Sequence, residues 1–99
     1  MVIINEEYLD FIRHQPCIVN LYCDYWDTRD KEGNIISDPH HIDKRGYKDY
    51  KRNDYHTVPL CRKHHSEEEN LGKDGFPKKH NLDIWREQAY LRTKFDKGL

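Results

Sequence analysis

Apolar residues near the start of the chain recur with the spacing of a helix. Residues 6–14 place four of them on one face: Tyr8, Leu9, Phe11 and Ile12. Asn5, just before this segment, is a favoured N-cap residue because its side-chain oxygen can accept a backbone N–H of the first turn. Pro16 follows the segment and closes it, because proline cannot continue a helix. The pattern therefore predicts a short amphipathic helix near the N-terminus.

Two short runs in the middle of the chain have the composition of β-strands. The first, Ser37 to His41, is bracketed by three isoleucines, and the second covers residues 56–60. Helix-forming residues follow from Arg62 to Leu71, and Gly72 is suited to end that helix in the left-handed conformation. A hairpin followed directly by a helix is therefore expected.

A third helical pattern occupies the C-terminal part of the chain and begins near Asn81 or Asp83. It keeps three apolar residues roughly on one stripe and two more beside them: Ile84, Leu91, Phe95, Trp85 and Ala89. The predicted order is helix, hairpin, helix, helix, and no repeat or linker-like segment divides it. We expect an α+β fold that forms a single domain over residues 1–99.

The composition indicates that such a domain has a thin apolar core. Hydrophobic residues make up 35% of the 99 residues, while charged residues also make up 35%. Ordering the chain costs about 1.5 kcal/mol per residue, which so few apolar side chains struggle to offset by burial alone. The chain is rich in metal-ligating residues, with 7 His and 3 Cys. Three cysteines cannot all pair in disulfides, so metal ligation is the expected additional stabiliser.

The overall charge of −1 argues against a protein that coats nucleic acid by bulk charge. Basic residues are instead concentrated between Asp43 and Tyr55, interleaved with tyrosines: Lys44, Arg45, Lys48, Lys51 and Arg52. This loop either contacts phosphates or is an ordinary solvated charged loop. Uncharged runs are too short for a membrane span or a signal peptide. We therefore expect a soluble, cytoplasmic protein with no membrane partner.

Four residues form a candidate zinc-binding set: Cys17, Cys23, Cys61 and His64. Three thiolates and an imidazole are a ligand set that tetrahedral Zn²⁺ prefers, and Cys61-x2-His64 has the spacing of a zinc knuckle. The five residues between Cys17 and Cys23 exceed the usual spacing. The alternative is that these two cysteines are small buried apolar residues.

A second set of ligand-type residues comprises His40, His41, His65 and Glu69. His65 and Glu69 are four residues apart on the predicted helix, so both side chains leave the same face. Adjacent His64 and His65 point about 100° apart, so that one can serve the thiolate set and the other a second ion. A histidine pair such as His40-His41 can also be a surface feature with no role.

The two segments that carry these residues resemble a known family. Residues 37–42, Ser-Asp-Pro-His-His-Ile, followed by residues 54–65, Asp-Tyr-His-Thr-Val-Pro-Leu-Cys-Arg-Lys-His-His, look like the HNH endonucleases of the ββα-metal fold, particularly the small phage and prophage-type proteins. The resemblance extends from Tyr8 to about Leu91. It implies a zinc-stabilised ββα-metal domain with flanking N- and C-terminal helices. It also implies a DNA endonuclease, located in the host cytoplasm if it is phage-encoded.

The resemblance also implies individual roles. His41 would be the general base, and His56 stands where many relatives have the Asn that orients the base, which gives it a supporting role. His40, His65 and Glu69 would hold the catalytic divalent ion, with Glu69 in place of a second helix histidine. The ion would be Mg²⁺, Mn²⁺ or another divalent metal, and the structural ion zinc.

The sequence leaves several alternatives open. No base-reading motif is present, so cleavage of low sequence specificity is expected. The substrate could be DNA or RNA, and the protein a monomer or a homodimer. The rival to catalysis is a noncatalytic zinc-binding module that binds nucleic acid or a partner protein.

Overall fold

A computed structural model describes residues 2–19, 23, 28–42 and 52–98 of the chain. Within these ranges the complete regular elements are three helices and two strands: α1 Glu6–Arg13, β1 Asp38–His41, β2 Thr57–Leu60, α2 Arg62–His80 and α3 Ile84–Asp96. The expected α+β class and element order are confirmed. None of the helices in these ranges is both long enough and apolar enough to cross a membrane.

The two strands form an antiparallel hairpin that lies between α1 and α2. Their register pairs Asp38 with Leu60 and His41 with Thr57. All four residues of β2 are buried, while those of β1 are half-buried. The N-terminal segment lies beside the chain that leads into β2, because Ile3 exchanges backbone hydrogen bonds with residues 52 and 54. The hairpin therefore holds the N-terminus of the protein against its centre.

The terminal helices pack against each other through an aromatic cluster. Tyr8 and Ile12 of α1 and Leu91 of α3 are buried together, and the rings of Tyr8 and Phe95 meet edge to face with centroids 4.9 Å apart. Asn5 caps α1, since its side-chain oxygen accepts the backbone N–H of Tyr8. Both predicted apolar stripes thus face the interior.

A second apolar cluster contains the cysteines. Its buried members are Cys17, Val19, Leu60, Cys61 and Phe76. The partly buried residues that pack against it are Ile18, Cys23, Leu82 and Ile84. The interior of the described chain is therefore two small clusters rather than one large core. This division agrees with the thin apolar composition.

Helix α2 is interrupted at Gly72, where φ is 81° and ψ is 176°. The prediction that Gly72 ends a helix is correct for the first half, but the extended ψ differs from the left-handed helical value. The chain then resumes a helical path to His80, which the sequence pattern did not predict. Asn81 ends this second half in the left-handed conformation, with φ 53°. The break lets Phe76 turn back onto the cysteine cluster.

We expect Gly72→Ala to destabilise the protein by about 1–2 kcal/mol, because a Cβ is disfavoured at positive φ whatever the surrounding space. No atom lies within 4 Å of the position that this Cβ would take, so the effect is conformational. Gly75→Ala is the matched control. Its Cβ would meet only ordinary contact with Leu71 at 3.4 Å, and alanine favours a helix. Urea unfolding of both variants measures the difference, and equal stabilities would contradict the strain at Gly72.

Candidate metal centre and histidine site

Three thiols and one imidazole converge at the start of α2. We call Cys17, Cys23, Cys61 and His64 the Cys3His cluster, and all four ligand atoms lie within 4.8 Å of one another. Cys61 occupies the N-cap of α2 without making a side-chain cap hydrogen bond. Its Sγ lies instead 3.2 Å from Nδ1 of His64, one helical turn later. The structure therefore brings together the whole predicted zinc set, including the distantly spaced Cys23.

The distances within the Cys3His cluster fit a tetrahedral ion. Nδ1 of His64 lies 3.6 Å from Sγ of Cys17 and 3.3 Å from Sγ of Cys23, and the thiols of Cys23 and Cys61 are 3.8 Å apart. Zn–S bonds of about 2.3 Å and a Zn–N bond of about 2.0 Å place tetrahedral ligands about 3.5–3.8 Å apart. All three cysteines are free thiols. The cluster is compatible with structural zinc.

Burial of the Cys3His cluster favours its neutral form when no cation is bound. Burial raises the pKa of the Cys23 thiol to about 12, and repulsion from the thiols of Cys17 and Cys61 adds to this. Burial likewise raises the pKa of Cys61 and lowers that of His64. A divalent cation reverses the preference at the thiols, because thiolates are its ligands. Metal binding here must release protons and weaken at low pH.

His64 also belongs to a second group of ligand-type residues, with Glu67 and His80. The ligand atoms of His64, Glu67 and His80 also lie within 4.8 Å of one another. Glu67 contacts His80, and it accepts a hydrogen bond from Nζ of Lys79 at 2.8 Å. These two hydrogen bonds lower the pKa of Glu67 to about 2. Since Lys79 already neutralises this carboxylate, we interpret the group as support for the His64 ring, whose centroid lies 5.3 Å from that of His80.

The two histidines expected to hold a catalytic ion each contact a carboxylate. Nε2 of His40 lies 3.2 Å from Oε2 of Glu68, a buried residue of α2. His65 contacts two carboxylates, because its Nδ1 lies 3.1 Å from Asp38 and its Nε2 lies 3.7 Å from Glu69. The rings of His40 and His65 are neighbours, with centroids 5.3 Å apart. The structure therefore brings the expected ligands into one region.

The expected ligands do not converge on a single point. Within the described ranges, the groups of three or more residues whose ligand atoms lie within 4.8 Å are the two that contain His64. His40, His65 and Glu69 are not such a group. Closing them on one ion would require these side chains to leave the positions they hold here, where Nδ1 of His65 lies 3.1 Å from Asp38.

His41 is paired with a fully buried carboxylate. Its Nε2 lies 3.0 Å from Oδ1 of Asp54. Oδ1 also accepts a hydrogen bond from Nε of Arg52, and Oδ2 accepts the Asn5 backbone N–H. Burial by itself would raise the pKa of Asp54, but the hydrogen bonds from Arg52, His41 and Asn5 outweigh it and lower the pKa to about 2. Asp54 is therefore ionised and can only accept. When His41 is neutral, Nε2 carries its proton and Nδ1 keeps the lone pair.

The remaining predicted residues have mixed outcomes. Lys44, Arg45, Lys48 and Lys51 lie outside the described residues. Arg52 is described, and its guanidinium binds Asp54 through two hydrogen bonds, so its DNA contact stays a prediction. The ring of His56 packs edge to face on Trp85, with centroids 5.0 Å apart, and its supporting role in catalysis also stays a prediction.

Three carboxylates of this region were not predicted from the sequence: Asp54, Glu67 and Glu68. One indication in the sequence that Asp54 has binding partners is its position, since an acidic residue just before a buried strand is unusual without them. Glu68 lies on the buried side of α2, where helical spacing from Cys61 and His64 would have placed it. Glu67 gave no such signal, because its partners Lys79 and His80 lie beyond the break at Gly72.

We expect purified protein to hold about one zinc ion per chain in the Cys3His cluster. Cys61→Ser should lose most of this zinc and much of its thermal stability, because metal binding contributes directly to the folding of small domains. Elemental analysis and thermal unfolding provide the two measurements. His14→Ala is the control, since it removes an exposed imidazole that is not one of the four ligands. Full zinc content in Cys61→Ser would exclude this cluster as the zinc site.

We expect Asp54→Asn to lower stability at neutral pH by about 2 kcal/mol through lost charge interactions, since the folded pKa is about 2 and the usual value 3.8. The depressed pKa stabilises the protein above the unfolded value, and this contribution disappears as pH falls from about 4 through about 2. The gap between native and variant stabilities should therefore narrow over that range.

Urea unfolding of both proteins from pH 7 to pH 2 measures this gap. Acid-driven loss of zinc affects both proteins alike and cancels in the difference. Asp10→Asn is the control, because Asp10 is an exposed carboxylate and substitutions at exposed positions usually change stability little. A gap independent of pH would show that Asp54 does not act through its charge.

Comparison with models of protein families, with curated proteins and with solved structures finds no match to this chain. Its function is therefore argued from the geometry of the Cys3His cluster and of the neighbouring histidines.

Proposed function

We propose that the protein is a divalent-metal-dependent endonuclease of the HNH type that hydrolyses DNA phosphodiester bonds. The observation that carries the proposal is the pairing of His41 with buried Asp54, beside His40 and His65. A buried carboxylate that holds one imidazole nitrogen is the usual way to orient a histidine base. The arrangement also stabilises the fold, but a module that only binds has no need of a histidine base.

In the proposed reaction, Nδ1 of His41 accepts a proton from water, and the resulting hydroxide attacks the phosphorus atom. The P–O3′ bond then breaks, and the 3′ oxygen leaves with a proton from solvent. Asp54 stabilises the imidazolium that forms, because it remains ionised throughout. The products expected from the resemblance are 5′-phosphate and 3′-hydroxyl ends.

His40 and His65 are the proposed nitrogen ligands of the catalytic ion. The carboxylates proposed to complete the site are Glu68, which contacts His40, and Glu69, which contacts His65. Mixed imidazole and carboxylate ligands are compatible with Mn²⁺ or Mg²⁺. The bound ion would stabilise negative charge on the phosphate and on the leaving oxygen. We further propose that the Cys3His zinc fixes the start of α2, and with it the direction of His65.

One observation favours the rival function of a noncatalytic zinc-binding module. His40, His65 and Glu69 do not close on one point, and His65 is held by Asp38 at 3.1 Å. Under this alternative the hairpin only binds nucleic acid or a partner protein.

We expect the native protein to nick supercoiled plasmid in Mg²⁺, Mn²⁺ or Ni²⁺, and His41→Ala to do so about 100-fold or more slowly, the usual contribution of a general base. Asp54→Asn should retain DNA binding while also nicking slowly, because the wrong imidazole tautomer would be favoured. His14→Ala serves as the control that removes an exposed histidine. Gel electrophoresis of the plasmid forms gives the rates.

Zinc content and folding must be equal in all these variants for the rates to be compared. Native protein that cuts with none of the three ions would establish the noncatalytic alternative. Cutting by His41→Ala at the native rate would remove His41 as the base.

A further inference from the structure

A cleft of about 380 Å³ opens beside the histidines, and we call it the Trp85 cleft. His40 and Glu68 line one end of it, while Trp85 and Ile84 from the start of α3 line another part. Its volume lies within the range of pockets that bind small ligands. Because His40 is a proposed ion ligand, the cleft adjoins the place where the scissile phosphate would bind.

The charges of the Trp85 cleft are unsuited to phosphate. Its lining includes the carboxyl groups of Glu68, Asp74 and Asp83, and no Lys or Arg is found among its described lining residues. Carboxylate oxygens instead accept hydrogen bonds from the amino and ring N–H groups of nucleobases. Asp83 is held in place, since its Oδ1 accepts the backbone N–H of Arg86 at 3.1 Å. The nucleic-acid part that fits is a base rather than the backbone.

Trp85 supplies an aromatic surface for such a base. It is 46% exposed although it is a large apolar residue. The His56 ring packs against the indole in a T-shaped arrangement, with centroids 5.0 Å apart. Aromatic side chains of this kind stack on bases of any identity, with a contribution that does not depend on sequence.

We propose that the Trp85 cleft binds an unpaired nucleobase next to the scissile phosphate. This inference rests on the proposed function for the identity of the ligand as nucleic acid. A base within a duplex is stacked on both faces and paired along its hydrogen-bonding edge, so it cannot enter the cleft. The protein therefore prefers single-stranded or locally unpaired substrate over continuous duplex.

The test measures equilibrium binding of fluorescent DNA probes by the full zinc-loaded chain carrying His41→Ala, which slows cutting. The probes are a short single strand, the same strand with abasic positions, and a hairpin duplex, all at one salt concentration. Trp85→Ala should weaken binding of the single strand about 5- to 100-fold, the usual range for loss of one stacked base. Duplex binding should change less than twofold, and Trp85→Phe should retain most of the native affinity.

The abasic strand isolates the base contact. The protein that keeps Trp85 should bind the abasic strand as weakly as Trp85→Ala binds the intact strand. Trp85→Ala should bind the abasic and the intact strand with equal affinity. Tyr90→Ala is the matched control, because Tyr90 is a 64% exposed aromatic of the same helix that does not line this cleft. Its affinities should remain native.

Native single-strand affinity in Trp85→Ala would overturn the inference, and so would equal weakening of single strand and duplex. The first result would leave the cleft for another partner, such as a protein, and the second would indicate a general loss of backbone binding. These outcomes differ from failure of the proposed function. If the protein does not nick DNA but Trp85→Ala still weakens single-strand binding selectively, the catalytic proposal fails and the base-binding cleft stands.

Discussion

The convergence of Cys17, Cys23, Cys61 and His64 on one point is the constraint on which the rest of the described structure depends. It joins the segment after α1 to the first turn of α2, and it lies within one of the two small apolar clusters. Burial raises the pKa of the Cys23 and Cys61 thiols, so the cluster is poorly suited to hold thiolates without a cation. A metal ion would satisfy the thiols and supply stability that burial of so few apolar residues does not.

Asp54 links the architecture to the proposed chemistry. It is fully buried, yet it stays ionised because Arg52, His41 and the Asn5 N–H bind it. These contacts attach the start of α1, the chain before β2 and the end of β1 to a single carboxylate. The same contacts orient the His41 ring. The contacts that stabilise the fold therefore also orient the proposed base, and removing the Asp54 carboxylate affects both stability and the His41 ring.

Local features of the chain were predicted well because short-range physics governs them. The Asn5 cap and the start of α3 after Asp83 depend on neighbouring residues, and the two strands of the hairpin follow from the local composition of residues 38–41 and 57–60. The Cys3His set was predicted too, since zinc imposes recognisable residue types. The second half of α2 was not predicted, because Gly72 indicates a break but does not specify the conformation of the chain beyond it.

The sequence by itself determined the secondary-structure elements and the ligand types: amphipathic helices, a hairpin that carries His40 and His41, and one set of soft ligands suited to zinc. Only the tertiary structure decided the partners, which pair His41 with Asp54, His40 with Glu68 and Glu67 with His80. The physical reason is that these contacts join residues 13 or more positions apart. Periodicity and capping act over a few residues, whereas such pairs depend on how whole elements pack.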